Sequence, residues 1–414
     1  MPLQISAPLT LPCGLTLPNR LSKAAMAENL ASGPHLPTPT HNSSYSVWGA
    51  GDWGMIMTGN VQVDPIYLGG PGDISFDATI DRARRLETWK AWATATQSNG
   101  SPGIVQINHP GRQSPMGTGK KGLLAKNLAP SAVGVKLGEG LLAKALSSLV
   151  FGTPREMTTE DISHAIEAFV DTATLAAESG FKGVEIHAAH GYLLAQFLSA
   201  DSNRRTDAYG GSAKARAKIV VEVIEAIRAA VPKDFAVGIK LNSVDHQSQQ
   251  ALAHCVEQLQ LIASAGIDFL EISGGTYEDP KMFQPTPTPT STSSRTQARE
   301  AFFLEFARAI RRSVPTIPLM VTGGFRTRLG MEAAVANGDC DLVGLGRPAV
   351  IYPTLPRDVI FNTDLQDEDA ILPVERIEVP WILKQTGLKA VGAGAESSWY
   401  GKRIGEMKGR AQKV

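Results

Sequence analysis

Short runs of apolar, often β-branched residues recur along the chain and alternate with longer stretches whose apolar positions return every three or four residues. The first pattern suits strands buried on both faces, and the second suits helices that bury one stripe. Eight runs read as strands: 21–26 (LSKAAM), 54–58 (GMIMT), 103–108 (GIVQIN), 182–188 (KGVEIHA), 235–241 (FAVGIKL), 268–273 (DFLEIS), 317–322 (IPLMVT) and 341–346 (DLVGLG). The clearest helix runs from Thr158 to Ser179, with Ile162, Ile166, Phe169, Val170 and Ala173 on one face. Thr158, Glu160 and Asp161 suit its first turn, and Gly180 suits the position just past its end. A second, from Ala213 to Val231, spaces Ile219, Val223, Ile227 and Val231 by four and stops at Pro232, which lacks the N–H to continue. Others are expected over 248–265 and 297–313.

Eight strand–helix alternations in one chain predict an α/β protein, a (β/α)8 TIM barrel, with an open doubly wound sheet as the alternative. Two connections break the rhythm: Pro110 to Arg155 after the third strand, and Gln284 to Ser294 (QPTPTPTSTSS) after the sixth. Both follow the carboxyl ends of strands, where barrel active sites lie, so residues 110–155 form a candidate lid; the bland reading of each is a surface loop.

The same rule selects candidate chemistry before any family is considered. The strand ends carry Met26 with Ala27, Asn60, Gln106 to His109, His187 to Tyr192, Lys240, Gly323 with Gly324, and Gly346 with Arg347. Glycine pairs after strands seven and eight, one followed by arginine, fit a phosphate site, because backbone N–H groups approach the anion and the guanidinium adds a permanent forked charge. His187, His190 and Tyr192 place two imidazoles and a phenol within six residues. Imidazole N–H groups polarise a carbonyl, and a phenol with a pKa of about 10 keeps a proton to deliver at neutral pH. Singly, each also reads as a hydrogen-bonded or packing residue. Glu185, His187 and His190, with His109, offer a competing metal reading, and Lys240 offers a Schiff-base reading. The one G-x-G-x-x-G, Gly117 to Gly122, follows Ser114-Pro115 with no strand before it, so the dinucleotide-binding context is missing.

Composition narrows the ligand. Forty basic and forty acidic residues in 414 leave no field for nucleic acid or an anionic membrane, so the expected partner is a small molecule. No stretch is apolar enough to span a bilayer, and the N-terminus lacks the basic and apolar regions of a secretory signal. Cys13, Cys255 and Cys340 are odd in number and far apart, which fits reduced thiols in the cytoplasm.

The segment EIHAAHGYLLAQFLSADSNRRTDAYGGS, Glu185 to Ser212, resembles the signature of the Old Yellow Enzyme family of NADH:flavin oxidoreductases. LPNRLSKAAMAENLA near the start, VQINHPGRQ (Val105 to Gln113), ISGGTYE (Ile272 to Glu278) and DLVGLGRP (Asp341 to Pro348) follow in the family's order. The resemblance implies a TIM barrel holding FMN, reduced by NAD(P)H and reoxidised by the activated C=C bond of an enone. It implies His187 and His190 as the pair on the substrate carbonyl and Tyr192 as proton donor. It implies Gln106 on the flavin pyrimidine edge, Ala25, Met26, Ala27, Asn60 and Lys240 around the ring, and Gly323, Gly324, Gly346 and Arg347 at the phosphate.

Three positions depart from the family pattern: Ala27 where Thr or Cys is usual, Lys240 where Arg is usual, and Asn60 for a small residue. They bear on flavin potential rather than on flavin binding. Residues 1–355 are expected to form the FMN barrel, and 356–414, which match poorly, an extension packed on it or on a neighbouring subunit. The desaturase direction, a non-redox lyase or hydrolase, and self-association remain open at this stage.

Overall fold

Strand residues alternate between two environments, and that alternation builds the barrel. In the computed structural model, which describes residues 3–122, 125–138, 140–242, 249–273, 308, 310–375, 390–407 and 409, all eight expected strands are present. They are β1 (Leu21–Lys23), β2 (Met55–Gln62), β3 (Gly103–Asn108), β4 (Gly183–Ala188), β5 (Ala236–Asn242), β6 (Phe269–Ser273), β7 (Leu319–Thr322) and β8 (Leu342–Leu345). Each pairs in parallel with its sequence neighbours, and β8 pairs with β1, so the sheet closes and the open-sheet alternative is excluded.

Along β5, Val237, Ile239 and Leu241 join the core beneath the helices, while Ala236 belongs to a second cluster with Met55, Met57, Ile104, Phe269, Met320 and Leu342. That second cluster fills the barrel axis at the amino ends of the strands. An N-terminal hairpin, Leu9–Thr10 with Thr16–Leu17, contributes Leu11 and Leu17 to it and plugs that end. Gly238 is required there: a Cβ would stand 2.1 Å from the Phe269 ring.

The described α-helices are α1 (Pro39–Gly49), α2 (Arg82–Thr96), α3 (Leu141–Val150), α4 (Thr159–Glu178), α5 (Leu193–Leu198), α6 (Ala213–Ala230), α7 (Gln249–Ser264), α8 (Arg328–Ala336), α9 (Arg347–Ile351) and α10 (Ala390–Gly405). The Thr158 cap of α4 forms a reciprocal capping box with Asp161, and Val231 ends α6 before Pro232. Of the helix expected over 297–313, residues 308 and 310–313 are described and helical. Gln284 to Ser294, and ISGGTYE beyond Ser273, lie outside the described residues.

Helices α1 and α2 carry an aromatic knot of Tyr45, Trp48, Trp89 and Trp92, with Trp89 and Trp92 packed edge to face at 5.8 Å. The stretch 110–155 is built rather than slack. Buried Lys121 donates to Ser114 O, Ser114 Oγ and Asn127 Oδ1, and Arg112 donates to the carbonyls of Val133 and Gly134. Its helix α3 leaves Leu141 and Leu149 86% and 66% exposed. The tail helix α10 packs on the barrel: Ser44 Oγ donates to Ile404 O, and Arg347 of α9 pairs with Glu396 at 2.7 Å. No described helix is long and apolar enough to cross a membrane.

The loop after β2 is fastened by Asp73 Oδ2, which accepts from Gln62 Nε2 at 2.7 Å and from the N–H groups of Gly69 and Gly70. Burial pushes the Asp73 pKa up to about 7 in spite of these donors. A folded-state value above the unfolded one means that the stability tied to this group is full at acid pH and lost as pH rises through about 7. Asp73→Asn should therefore gain on the natural protein between pH 4 and 7, by roughly 1.4 kcal/mol per unit of raised pKa. Urea unfolding at both pH values checks this, and a pH-independent difference contradicts it.

Candidate active site

The sharp turn after β4 presents the two imidazoles. His190 has φ +57° and Gly191 φ +73°, a left-handed step that costs a non-glycine residue on the order of 1 kcal/mol. Neighbouring strands and loops hold it in place. Asn242 Oδ1, at the end of β5, accepts the His190 N–H at 2.9 Å. Gln113 Nε2 reaches the carbonyls of His190 and Gly191, and Gln196 Nε2 also donates to Gly191 O. A Cβ on Gly191 would stand 2.5 Å from Gln113 Nε2 and displace that amide, while the positive φ itself favours glycine. Tyr192 then caps the start of α5.

The turn aligns a row of hydrogen bonds. Ala189 N donates to His187 Nδ1 at 3.2 Å, His187 Nε2 meets His190 Nδ1 at 3.1 Å, and His190 Nε2 meets Ser273 Oγ at 3.2 Å. The Tyr192 ring stands edge-on to His187, with centroids 4.8 Å apart. Burial, followed by the charges of His190 and Lys240, holds the His187 pKa well below the usual imidazole range. Burial and Lys240 bring His190 down to about 3.

Directly beneath lies a charged layer. Lys240 is level with both His187 and Glu271, and its Nζ lies 2.7 Å from Glu271 Oε1. Burial pulls the Lys240 pKa down, but the charges of Glu271 and Glu185 outweigh it and raise the net value. Glu185 accepts from Gln106 Nε2; burial, with the Glu271 charge, lifts its pKa well above the carboxylate range. The layer therefore joins the Lys240–Glu271 ion pair to a carboxyl whose charged form is disfavoured.

The opposite rim is backbone-rich. Gly323 and Gly324 have φ of +111° and +88°, and Met26 lies against Gly346. The loop Ala25–Ala27 is held through Glu28, which accepts from the Tyr45 hydroxyl and from Gly59 N. Ala25, Met26, Ala27, Asn60, Gly323, Gly324, Gly346 and Arg347 are all half-buried, whereas Gln106, Lys240 and His187 below them are buried. Asn60 Oδ1 and Thr322 Oγ1 are buried without a partner. A recess floored by buried polar side chains and rimmed by glycine backbone fits a planar polar cofactor with a phosphate tail.

Thus Gln106, His187, His190, Tyr192 and Lys240 come together on β3 to β5, and the glycines on β7 and β8. Arg347 points one Nη toward Glu396 of the tail. Asn242, Ser273 and Glu271 escaped sequence reading. The expected end of β5 falls one residue short of Asn242, and a serine closing a strand carries no chemical signal of its own. The decoy glycines Gly117 and Gly119 sit in turns, with no strand before them.

A closed parallel barrel with its polar groups gathered at the carboxyl ends of the strands defines a TIM-barrel enzyme. The NADH:flavin oxidoreductase / NADH oxidase family profile matches residues 4–366. The NADH-dependent flavin oxidoreductase iliE of Neonectria sp. (strain DH2) is 51% identical over 97% of this chain, which spans 54% of that protein's length. The iliE protein of Hypocrea jecorina (strain QM6a) is 47% identical over 94% of this chain and 97% of its own. The structure of the Old Yellow Enzyme homologue from Zymomonas mobilis matches with TM-score 0.69 at 21% identity, covering 94% of this chain and 99% of that one. The chain belongs to the NADH:flavin oxidoreductase / NADH oxidase family and is an oxidoreductase.

His109 is also buried and held down to about 4. For all three imidazoles the folded state favours the neutral form, so their contribution to stability is full above about 6.5 and lost as pH falls through these depressed values. The ring proton resonances of His109, His187 and His190 should show no titration between pH 5 and 8. A midpoint near 6.5 for His187 or His190 would contradict the site as described.

Proposed function

We propose that the chain is an FMN- and NAD(P)H-dependent ene-reductase acting on the activated C=C bond of α,β-unsaturated carbonyl compounds. The observation that carries this reading is the neutral, mutually hydrogen-bonded His187–His190 pair beside the Tyr192 phenol over a protein-filled barrel. FMN, when bound, supplies the redox chemistry, taking hydride from NAD(P)H and giving it to the alkene in a ping-pong cycle. His187 and His190 hold the carbonyl oxygen and stabilise the negative charge that grows there. Tyr192 delivers a proton to the α-carbon.

Gly323, Gly324, Gly346 and Arg347 would receive the phosphate, and a guanidinium with one nitrogen on Glu396 keeps further donors for it. Ala25, Met26, Ala27, Asn60, Gln106 and Lys240 would surround the ring. Residues 1–355 act as the FMN barrel and 356–414 as an extension, working in the cytoplasm on a diffusible small molecule, without nucleic acid or membrane.

The purified protein should absorb near 450 nm through one FMN per chain and oxidise NADH or NADPH when cyclohexenone is supplied. His187→Ala should weaken phenol binding and slow alkene reduction with flavin retained, while Tyr192→Phe should slow reduction by about 10²- to 10⁴-fold, the usual worth of a general acid. A colourless protein that takes up no FMN, or variants reducing cyclohexenone at the natural rate, would sink the proposal.

Ala27 offers no donor to the flavin O4 region, where charge accumulates on reduction. In Ala27→Thr a hydroxyl reaching that oxygen favours the reduced state by about 1.5 to 3 kcal/mol, or a few tens of millivolts for a two-electron couple. Potentiometric titration should show the higher midpoint in the variant. An unchanged or lower midpoint means that this position does not tune the cofactor.

A further inference from the structure

We infer that Ser273 is a positioning residue that lets His190 change tautomer, accepting a hydrogen bond in the empty site and donating one to the substrate oxygen in the occupied site. The inference rests on the proposed role of the histidine pair. It follows from donor and acceptor counts along the row at the end of β4. His187 Nδ1 receives the Ala189 N–H, so it bears no hydrogen, and a neutral ring must carry its proton on Nε2. That N–H faces His190 Nδ1, which must therefore accept. The His190 proton is then on Nε2 and points at Ser273 Oγ.

An oxygen held by both imidazoles needs two donors. His187 can turn its Nε2–H from His190 Nδ1 to that oxygen, but His190 offers a bare Nδ1. For His190 to donate, a proton must leave Nε2 to solvent water and one must arrive at Nδ1 from solvent water, with no change in charge. Nε2 is then a bare acceptor. A hydroxyl serves both states, because it accepts from Nε2–H in the first and rotates to donate to Nε2 in the second.

Two anchors hold His190 in the site while its proton changes sides. Asn242 and Ser273 are register partners on β5 and β6, one holding the His190 backbone N–H and the other its ring. Ser273 is buried, and its hydroxyl is the partner the structure shows on this face of the ring.

The test is two-bond ¹H–¹⁵N correlation on histidine-labelled holoenzyme, with and without saturating 4-hydroxybenzaldehyde. His190 should carry its proton on Nε2 when free and on Nδ1 when bound. In Ser273→Ala the free tautomer should stay, the bound switch should be suppressed, and phenol affinity should fall roughly tenfold, as when a buried acceptor is left unpaired. Ser273→Thr should restore both. An unchanged free tautomer and flavin spectrum in Ser273→Ala show that the variant is folded. A natural His190 that keeps one tautomer throughout, or a Ser273→Ala variant that binds the phenol as tightly as the natural protein, overturns the inference. The free tautomers are read without turnover, so their failure counts against the serine, whereas absence of flavin counts against the proposed function.

Discussion

The buried ion pair between Lys240 and Glu271 is the constraint to which the rest of the site is fitted. A lone ammonium inside the barrel would be untenable, and a pair there is costly while its remaining polar atoms lack partners. Lys240 reaches Glu271 across β5 and β6, and Gln106 donates to Glu185 across β3 and β4, yet Glu185 Oε1 and Glu271 Oε2 are buried without a hydrogen-bond partner. The same ammonium acts upward. Its charge adds to burial in keeping His187 and His190 neutral, and only a neutral imidazole can be both donor and acceptor.

The barrel thus changes character along its axis. At the amino ends of the strands it is a dry plug, dense enough that Gly238 is needed to admit the Phe269 ring. One layer up, inward positions turn ionic, and at the mouth they become imidazole, amide and hydroxyl. Each strand encodes this by its order of residues, as in the AVGIKLN of β5, whose inward series runs Ala236, Gly238, Lys240, Asn242. Stability is concentrated where ligands never reach, and polarity where they would.

Much of this was legible because strands buried on both faces read as short, near-continuous apolar runs. The register of the ends was not. Moving the end of β5 by one residue separates Lys240 from Asn242, and only paired strands show that Asn242 stands level with Ser273. Helices α1 and α2 were missed for a different reason. Their buried faces are narrow and aromatic, Tyr45 and Trp48 on one and Trp89 and Trp92 on the other, amid polar residues such as NSS and RARR. The internal ties of the connection after β3 were equally invisible, since Lys121 reads as a surface lysine until Asn127 and the Ser114 carbonyl are seen to surround it.

The tail shows how distant sequence enters the site. Arg347 carries the resemblance, while Glu396 lies in the region that lacks it, 49 residues away. Their contact joins α10 to the rim formed by Gly346 and Met26. Gly401, on the same helix, has so little room that a Cβ would come within 2.9 Å of the Glu28 carbonyl. Glu28 in turn fixes the Ala25–Ala27 loop through Tyr45 and Gly59. One helix therefore braces both the proposed phosphate end and the loop proposed to lie along the ring. Glu396 also removes part of the cost of leaving a guanidinium half-buried, since a charge withdrawn from water is stabilised by a partner at hydrogen-bond distance. A phosphate arriving at the rim would meet an arginine already oriented by that carboxylate, with less side-chain entropy left to lose.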